Sequence, residues 1–570
     1  MKLLRVDMES LQVKWEAVPP EYTYLGGRAL IVRVLLDEVP PRSDTLSPDN
    51  KLIFSPGLLG GSGVTTTGRL SIGGKSPLTK GVKEANSGGT AGDALGKLEI
   101  KGVIVEGAPE DDQWYYLLIK EGEHAELLPA DDLLGSGTYA TSEILEKRHG
   151  DNFSIISIGQ AGELMLRGSS IAITGYKNQR SNQAARGGLG AVMGSKHLKA
   201  VVVEIPRARR KAINPDLLRQ ASSTFFQELY NSPKLGRQGS SHLYGTASIV
   251  GAVNGMGALP TRNFSSGNFE GADTLTGEHL RKTILERGGE IGMACMPGCA
   301  ISCRNVYVDK EGEPIVGTIQ YETIGLMGSN LGLSDLDDVA HLNYMCNDYG
   351  LDTIETGAAL GVAAESGLAE FGDFDSMVKL LEQVPEGTEI GMMIGNGAVA
   401  TGKALGNERV PAALGQAMPA YDPRSLKGNG VTYATSAMGA DHTAGNAFGA
   451  RNEVNPLGIE GQRELSLRLQ IISTMLDSTG LCLFSRPPVI ANPQLMVDML
   501  NGLYGWDWTV DDLDAANRDV LRMENEFNEK AGITAEDHRI PEYMTREPLP
   551  PHNSVFDVPD KELDEIYCNL

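Results

Sequence analysis

A chain of 570 residues, 41% hydrophobic and 22% charged, has material for three or four domains at about 150 residues each and can bury its cores without disulfide staples. Fifty Lys and Arg against 74 Asp and Glu give a formal net charge of −24, which opposes nucleic-acid backbones and anionic lipid surfaces. The opening MKLLRVDMESLQVKWEAVPP breaks each apolar stretch with charge, and no later segment offers about 18 uncharged apolar residues in a row, so neither a signal peptide nor a membrane segment is expected and the expected location is cytoplasmic.

In chain order, the first two hundred residues alternate short β-type runs with glycine-containing turns: LLRVDM, LQVKWEAV, KLIFSPG, RLSIGG, LEIKGVIVEGA, WYYLLIK, FSIISIG, SSIAITG and KAVVVEIP. Gly is 69 of 570 residues, about 12% against the usual ~7%, and marks places where backbone turns sharply or approaches a neighbour closely. After the basic run Arg207–Lys211 the spacing becomes helical, starting with PDLLRQASSTFFQELYNS and continuing to about residue 530. A softer break falls near 418, at MPAYDPRSLKGNG. The expected fold class is α+β: a β-rich base over 1–210, then two mainly α-helical domains, 211–417 and 418–570. The polar, proline-rich tail after Gly532 is expected to wrap the surface, and no sequence repeat of fixed period is found.

Three of the six cysteines lie within nine residues, Cys295-Met-Pro-Gly-Cys299-Ala-Ile-Ser-Cys303, and Cys482 is available far downstream as a fourth. Pro297 and Gly298 prevent a regular helix, so the loop can turn three sulfurs toward one centre. Four soft thiolates suit either tetrahedral zinc or an iron–sulfur cube, and spacing alone does not choose. A radical enzyme using S-adenosylmethionine would need a shorter second interval. Cys346, inside the helical run DDVAHLNYMCNDYG, and Cys568, near the end, are read as unligated.

Two look-alike turns close helical runs: Asn347-Asp348-Tyr349-Gly350-Leu351-Asp352 and Asp477-Ser478-Thr479-Gly480-Leu481-Cys482. A left-handed Gly followed by an apolar Leu explains both as helix ends, and Asp352 with Glu355 reads as the cap of the next helix. The second copy also sets Cys482 five residues from Asp477, an acceptor able to hold the N–H groups of a bound ring. Glycine-rich loops at Thr67-Gly68-Arg69, Gly73-Gly74-Lys75-Ser76-Pro77-Leu78-Thr79, Asn86-Ser87-Gly88-Gly89 and Ala184–Lys196 read as a phosphate cradle. They match neither a P-loop, whose interval is shorter, nor a dinucleotide site, since Gly188-Leu189-Gly190 follows the polar YKNQRSNQAA instead of an apolar strand. Glu322, alone in the uncharged stretch around Tyr321 and Ile324, is expected to be buried with a raised pKa, and Asp441-His442 follows a Gly/Ser-rich loop. Asp338 and His341, at i and i+3, could share a metal but read better as a solvated helix face.

In this order, Gly26-Gly27-Arg28, KSPLT with NSGG, ARGGLGAVMGSKHLKA, the cysteine loop, YETIG, NDYGLDTIETG, YATSAMGADH and DSTGLC resemble the aldehyde ferredoxin oxidoreductase family across nearly the whole chain. The resemblance implies tungsten, or molybdenum, on two pterin dithiolenes (a bis-pterin cofactor) beside one [4Fe-4S] cluster. It implies that Cys295, Cys299, Cys303 and Cys482 hold the cluster, and that Arg69, Asn86 and the turn Ala185, Arg186, Gly187, Gly188 contact the pterin phosphates and a linking Mg2+. Asn347, Asp352 and Asp477 would hydrogen-bond the pterin rings, with Leu481 in the same turn, while Glu322 and His442 would flank the metal as proton-transfer groups. The β-rich segment would be the cofactor-binding base. The implied reaction oxidises a small aldehyde to its acid and passes electrons to ferredoxin or a small iron–sulfur partner subunit, with a homodimer as an open alternative for the oligomer.

Three details depart from the family pattern. The cysteine intervals are three and three residues where two and three are common, which puts Cys295 one residue out of register. Asn347 stands where Asp is usual. The chain also ends where many members continue for another helical segment, which would leave an entrance or interface more open. Two rivals follow: a subunit of a larger complex reducing an acid, thioester or other carbonyl compound, and a zinc-stapled, non-catalytic binding protein.

Overall fold

The computed structural model describes residues 1–176, 182–568 and 570. The chain forms two compact units that interleave along the sequence. The first gathers Met1–His242, Ala294–Ser302 and Thr474–Gly532; the second gathers Leu243–Met293, Cys303–Ser473 and Ile533–Leu570.

The first unit is built on two six-stranded mixed sheets. Strands β1 (Lys2–Asp7), β2 (Gln12–Ala17), β3 (Leu52–Pro56), β4 (Leu70–Lys75), β5 (Val82–Ser87) and β6 (Ile100–Glu106) lie in the order β2-β1-β6-β3-β4-β5. Strands β7 (Tyr115–Lys120), β8 (His124–Pro129), β9 (Phe153–Ser157), β10 (Ile171–Ile173), β11 (Asn182–Ala184) and β12 (Leu198–Glu204) lie in the order β8-β7-β12-β9-β10-β11. The two orders are the same with six added to each number. Each sheet has one parallel pair, β1 with β6 and β7 with β12. Each also carries a helix after its second strand (Gly27–Glu38 and Thr138–His149) and another before its last (Ala91–Lys97 and Leu189–Gly194). The architecture is therefore duplicated, although no repeat is legible in the residues themselves.

Alternation explains how the sheets pack. In β7 and β12, Leu117, Ile119, Val201 and Val203 enter the core shared with Leu4, Phe54 and Ile72 of the other sheet. Their neighbours Tyr116, Leu118, Ala200 and Val202 face the opposite way, onto Leu145 of the helix Thr138–His149. Strands β5, β8 and β11 were not among the expected runs. β5 carries Lys83, Glu84 and Asn86, so it shows no apolar alternation although it is almost wholly buried. The polar stretch 176–185 includes 177–181, which lie outside the described residues; its end forms β11.

The second unit is mainly helical. Its helix Thr353–Glu365 is buried from Ile354 to Ala364, as expected of a helix with apolar or small residues on every side. The segment Tyr321–Thr323 passes straight into a five-residue π-helical turn, Ile324–Gly328, which packs on this helix at Gly357: a Cβ there would sit 2.7 Å from the Leu326 carbonyl oxygen. The tail does more than wrap a surface. It buries Ile540, Met544, Leu549, Phe556 and Leu563 within the second unit. No helix among the described residues is long and apolar enough to cross a membrane.

Candidate functional site

In the first unit, three residues singled out by sequence form one chain of contacts. Arg69 donates through Nε to Asn86 Oδ1 and through Nη2 to the Asn86 carbonyl oxygen at 2.7 Å. Asn86 Nδ2 in turn donates to Asp477 Oδ1 at 3.0 Å. The Asp477 turn ends the helix Gln462–Thr479 with Gly480 at φ +80°, and Leu481 N–H returns to the Leu476 carbonyl oxygen at 2.9 Å. Backbone bonds tie this turn to the loop after β3: Leu58 N–H to Ser478 O at 3.0 Å, Leu59 N–H to Thr479 O at 3.1 Å and Cys482 N–H to Thr66 O at 2.9 Å. A Cβ on Gly57 would lie 2.0 Å from Gly480 N, so the approach requires glycine there.

Besides Asn86, Asp477 is held by a residue to which the sequence reading gave no role, Arg28 of the Gly26-Gly27-Arg28 motif. Arg28 Nη1 donates to Asp477 Oδ2 at 3.2 Å, and its other two nitrogens clasp Glu524 at 2.6 and 2.8 Å. Burial lowers the affinity of this guanidinium for its proton, but Glu524 and then Asp477 more than restore it. Glu84, on β5, carries a carboxyl pushed well above the usual range, chiefly by burial and then by the Asp477 charge. One signal could have found Glu524: it falls on the stripe Leu513, Asn517, Val520, Leu521, Glu524, Phe527, Asn528 that its helix buries, where a charge needs a partner.

The cysteine loop belongs to the same unit as far as Ser302. Thr65 clamps it, donating through Oγ1 to Gly298 O at 2.8 Å and accepting from Ala300 N–H at 3.0 Å. The cradle loops lie against it: a Cβ on Gly88 would meet Cys295 Sγ at 3.0 Å, and one on Gly68 would meet Met296 Sδ at 3.4 Å. The Cys299 thiol is pushed up to about 12 by burial and then by Cys295, with Cys482 adding to it, so these three sulfurs share one neighbourhood. Cys303 opens the next segment of the second unit. Cys346 is fully buried and Cys568 exposed.

Other loops divide. Ser76 Oγ donates to Gly187 O at 2.8 Å, which joins KSPLT to the turn Ala185–Gly188, where Gly187 and Gly188 are left-handed at φ +85° and +72°. Gly73, Gly74, Lys75 and Lys196 have structural tasks instead of lining a cradle. A Cβ on Gly73 would strike Ile31 of the helix Gly27–Glu38 at 2.4 Å, and one on Gly74 the Lys51 carbonyl oxygen at 2.5 Å. Lys75 Nζ donates to Ser43 O at 2.6 Å and Lys196 Nζ to Asn50 O at 2.6 Å.

The second unit brings Glu322 and His442 together. Their Oε1 and Nε2 atoms are 3.3 Å apart, both side chains largely buried. Glu322 Oε2 accepts from Ala420 N–H at 2.7 Å. That contact is possible because residue 325 is glycine; a Cβ there would lie 2.4 Å from Ala420 Cβ. Tyr421 lies 6.1 Å from the His442 ring, with Tyr321 and Phe448 on Tyr421. Asn347 and Asp352 flank Gly350 between two helices. Asp352 Oδ1 caps the second one by accepting from Ile354 N–H at 3.0 Å. Glu355 does not complete a capping box; it accepts from Ala398 N–H at 3.0 Å and Ala417 N–H at 2.9 Å. His341 packs edge-on to Phe374.

Two observations test whether these residues suit the implied cofactors. His442 Nδ1 and Glu84 Oε1 are buried polar atoms with no hydrogen-bond partner among the described residues, a deficit that a bound polar group would remove. Cys295 and Cys482 both add to the raised proton affinity of the Cys299 thiol, and a cationic centre would reverse that repulsion. Among the described residues no three His, Cys, Asp or Glu side chains group closely enough for a single ion. The residues fit.

Aldehyde ferredoxin oxidoreductase family models match the chain in two consecutive pieces: the N-terminal domain over residues 3–205 and domains 2 and 3 over 220–568. A tungsten-containing aldehyde ferredoxin oxidoreductase of Thermococcus kodakarensis is 32% identical, with 96% of this chain and 92% of that protein covered. One of Pyrococcus furiosus is 31% identical over the same shares. The WOR-like subunit of an aliphatic sulfonate oxidoreductase from P. furiosus is 25% identical over 89% of this chain and 82% of that one. The active-site complex BamBC of benzoyl coenzyme A reductase, solved with 1,5-dienoyl-CoA, shares the fold at a TM-score of 0.81 and 20% identity, covering 99% of this chain and 93% of that one. These matches set the class as oxidoreductase. The chain belongs to the aldehyde ferredoxin oxidoreductase family.

Proposed function

We propose that this protein is a tungsten or molybdenum bis-pterin oxidoreductase that oxidises a small aldehyde to its carboxylic acid and passes the electrons through a [4Fe-4S] cluster to ferredoxin. The observation that carries the reading is the Glu322–His442 pair, 3.3 Å apart in a largely buried aromatic setting. In the proposed division of labour, residues 1–210 are the cofactor base, 211–417 bring the cysteine loop and 418–570 complete the active site.

Arg69, Asn86 and the turn Ala185–Gly188 would contact the phosphates of the cofactor and its Mg2+, Asn347, Asp352 and Asp477, with Leu481, would serve its rings, and Cys295, Cys299, Cys303 and Cys482 would hold the cluster. The metal centre supplies a two-electron sink when bound. The reaction adds the oxygen of water to the carbonyl carbon and releases two electrons and two protons. Glu322 Oε2 is held by Ala420 N–H, which leaves Oε1, the atom facing His442, to take a proton as general base. His442, whose Nε2 faces Glu322, would donate a hydrogen bond to the substrate oxygen, and the rings around Tyr421 would limit bulk water.

The test uses anaerobically purified protein. Tungsten or molybdenum with about four irons and a pterin is expected, together with aldehyde-dependent reduction of benzyl viologen that Glu322→Gln lowers by about 10²-fold or more at unchanged metal content. A single zinc without pterin would overturn the reading. A second reading, a catalytic subunit of a larger complex acting on another carbonyl compound, is supported by the likeness to the WOR-like subunit. It predicts dye-linked activity with an acid or thioester and none with aldehydes.

A further inference from the structure

We propose that the exposed basic run Arg207–Lys211, with the aromatic face beside it, is the docking surface of a small acidic iron–sulfur electron carrier. The inference rests on the oxidoreductase reading above and assigns the place where electrons leave. The chain carries a net charge of −24, yet Arg207, Arg209 and Lys211 are exposed with no ion pair among the described residues. The carboxylates nearest in sequence are occupied: Asp216 holds Arg219 at 2.8 Å, and Glu204 accepts from Glu121 N–H at 2.9 Å. The positive charge is therefore available to a partner, and in so acidic a protein it marks a surface that recognises negative charge locally while the rest of the molecule repels it.

Its position matters as much as its sign. Arg210 N–H donates to Gly61 O at 3.0 Å and its Nη1 to Leu58 O at 3.1 Å, while Arg209 lies over Gly63, where a Cβ would meet Nη1 at 2.6 Å. Two residues beyond Gly63, Thr65 clamps the cysteine loop, and Thr66 O accepts from Cys482 N–H. Two residues span at most about 7 Å of backbone, so Arg209 lies near the segment that clamps the loop carrying the thiols, with Arg207 and Lys211 two residues to either side of it in the chain. The tip of that loop, Gly298, is exposed and has no atom within 4 Å of where a Cβ would be. Carriers whose electrons must cross a short gap would be drawn to this edge.

The surface also has an apolar centre. The Arg210 guanidinium lies 4.8 Å over the Tyr504 ring, Tyr504 stacks on Trp506 at 4.2 Å, and Trp506 meets Tyr24 at 4.8 Å. Tyr24 is 49% exposed, and Ile213, seated against Gly505, is 72% exposed. Aromatic and arginine anchors ringed by charge are the composition of transient protein interfaces, and redox encounters sit at their small end. With a cluster held by the cysteines, each one-electron transfer to an oxidised iron–sulfur centre of the carrier would clear half of the two electrons that one aldehyde oxidation releases. No atom is transferred.

The test compares the wild-type holoenzyme with Arg207→Glu/Arg209→Glu/Lys211→Glu, using an acidic two-cluster bacterial ferredoxin and, separately, benzyl viologen. The expected result is a fall of at least tenfold in kcat/KM for ferredoxin at low ionic strength, loss of its salt dependence, and unchanged dye-linked turnover. The milder Arg207→Gln/Lys211→Gln should give an intermediate loss, which guards against a folding defect in the triple variant. A binding titration of ferredoxin, which needs no turnover, should show a Kd at least tenfold weaker for the triple variant. Equal ferredoxin affinity in variant and wild type overturns the proposal, as does an RNA oligonucleotide binding the basic run in preference to ferredoxin. Absence of dye-linked activity in the wild type would instead strike the oxidoreductase reading, while the titration would still decide the docking surface.

Discussion

Arg28 is satisfied by two carboxylates from distant parts of the chain, Glu524 through two bonds and Asp477 through one. It is 2% exposed and Glu524 wholly buried. Removing one partner from such a group strands the others without water, so Arg28→Ala should cost about 3–5 kcal/mol, read as a fall in the midpoint of denaturant unfolding. Arg28→Lys should recover little of this, because an ammonium cannot clasp a carboxylate with two parallel bonds. Beside it, Gly27 stands at φ +50° with the Asp477 carbonyl oxygen 2.1 Å from where a Cβ would be. Gly27→Ala should therefore displace the Asp477 turn and lower both thermal stability and cofactor content, measured by melting and elemental analysis. Of this network, only Asp477 has a role legible in the sequence; Gly27 and Arg28 stand in it only as part of a motif. Glu84 looks like an ordinary surface acid until its burial is known, whereas Glu524 is marked only by falling on the buried stripe of its helix.

At the level of elements, the π-helical turn Ile324–Gly328 and the approach of Ala420 to Gly325 set the direction of Glu322. Gly325→Ala puts a methyl 2.4 Å from Ala420 Cβ, so under the proposed function it should reduce aldehyde turnover while iron content stays normal, a split that elemental and kinetic assays resolve. The helix Leu336–Tyr349 offers a separate test. Its Asp338 is pushed up to about 6 by burial first, then by Asp335, Asp337 and Asp375. Since the folded chain holds that proton more tightly than the unfolded one, stability falls as pH rises from about 4 to about 6, and the loss persists above. Asp338→Asn removes it: the variant should melt higher than wild type at pH 7, with a gap that closes toward pH 4. Helix ends were readable in advance, because a left-handed Gly350 or Gly480 is local chemistry. Strand β5 was not, because its burial is earned by contacts that its polar residues do not announce.

For the molecule as a whole, the consequence lies in the interleaving of the units. The first needs Thr474–Gly532 as well as the N-terminal sheets: without it, Leu58 and Leu59 N–H lose Ser478 and Thr479, and Arg28 loses Glu524. A fragment of residues 1–210 expressed alone should therefore lack a cooperative melting transition and be cut rapidly by protease, and adding residues 474–532 in trans should restore protection. A sharp transition in the isolated fragment would contradict this.

Periodicity and motif order sufficed for the β-rich start, the helical remainder, the cysteine loop and the two Gly–Leu turns, because each depends on neighbours within a few residues. Three features came only from the tertiary structure: the doubling of the sheet topology, the partners of Arg28, and the structural role of Gly73, Gly74, Lys75 and Lys196. The physical reason is common to all three. Whether a glycine faces a ligand or a helix, and whether a buried charge is paired, depends on residues that can lie hundreds of positions away, and such pairing leaves no trace in local composition.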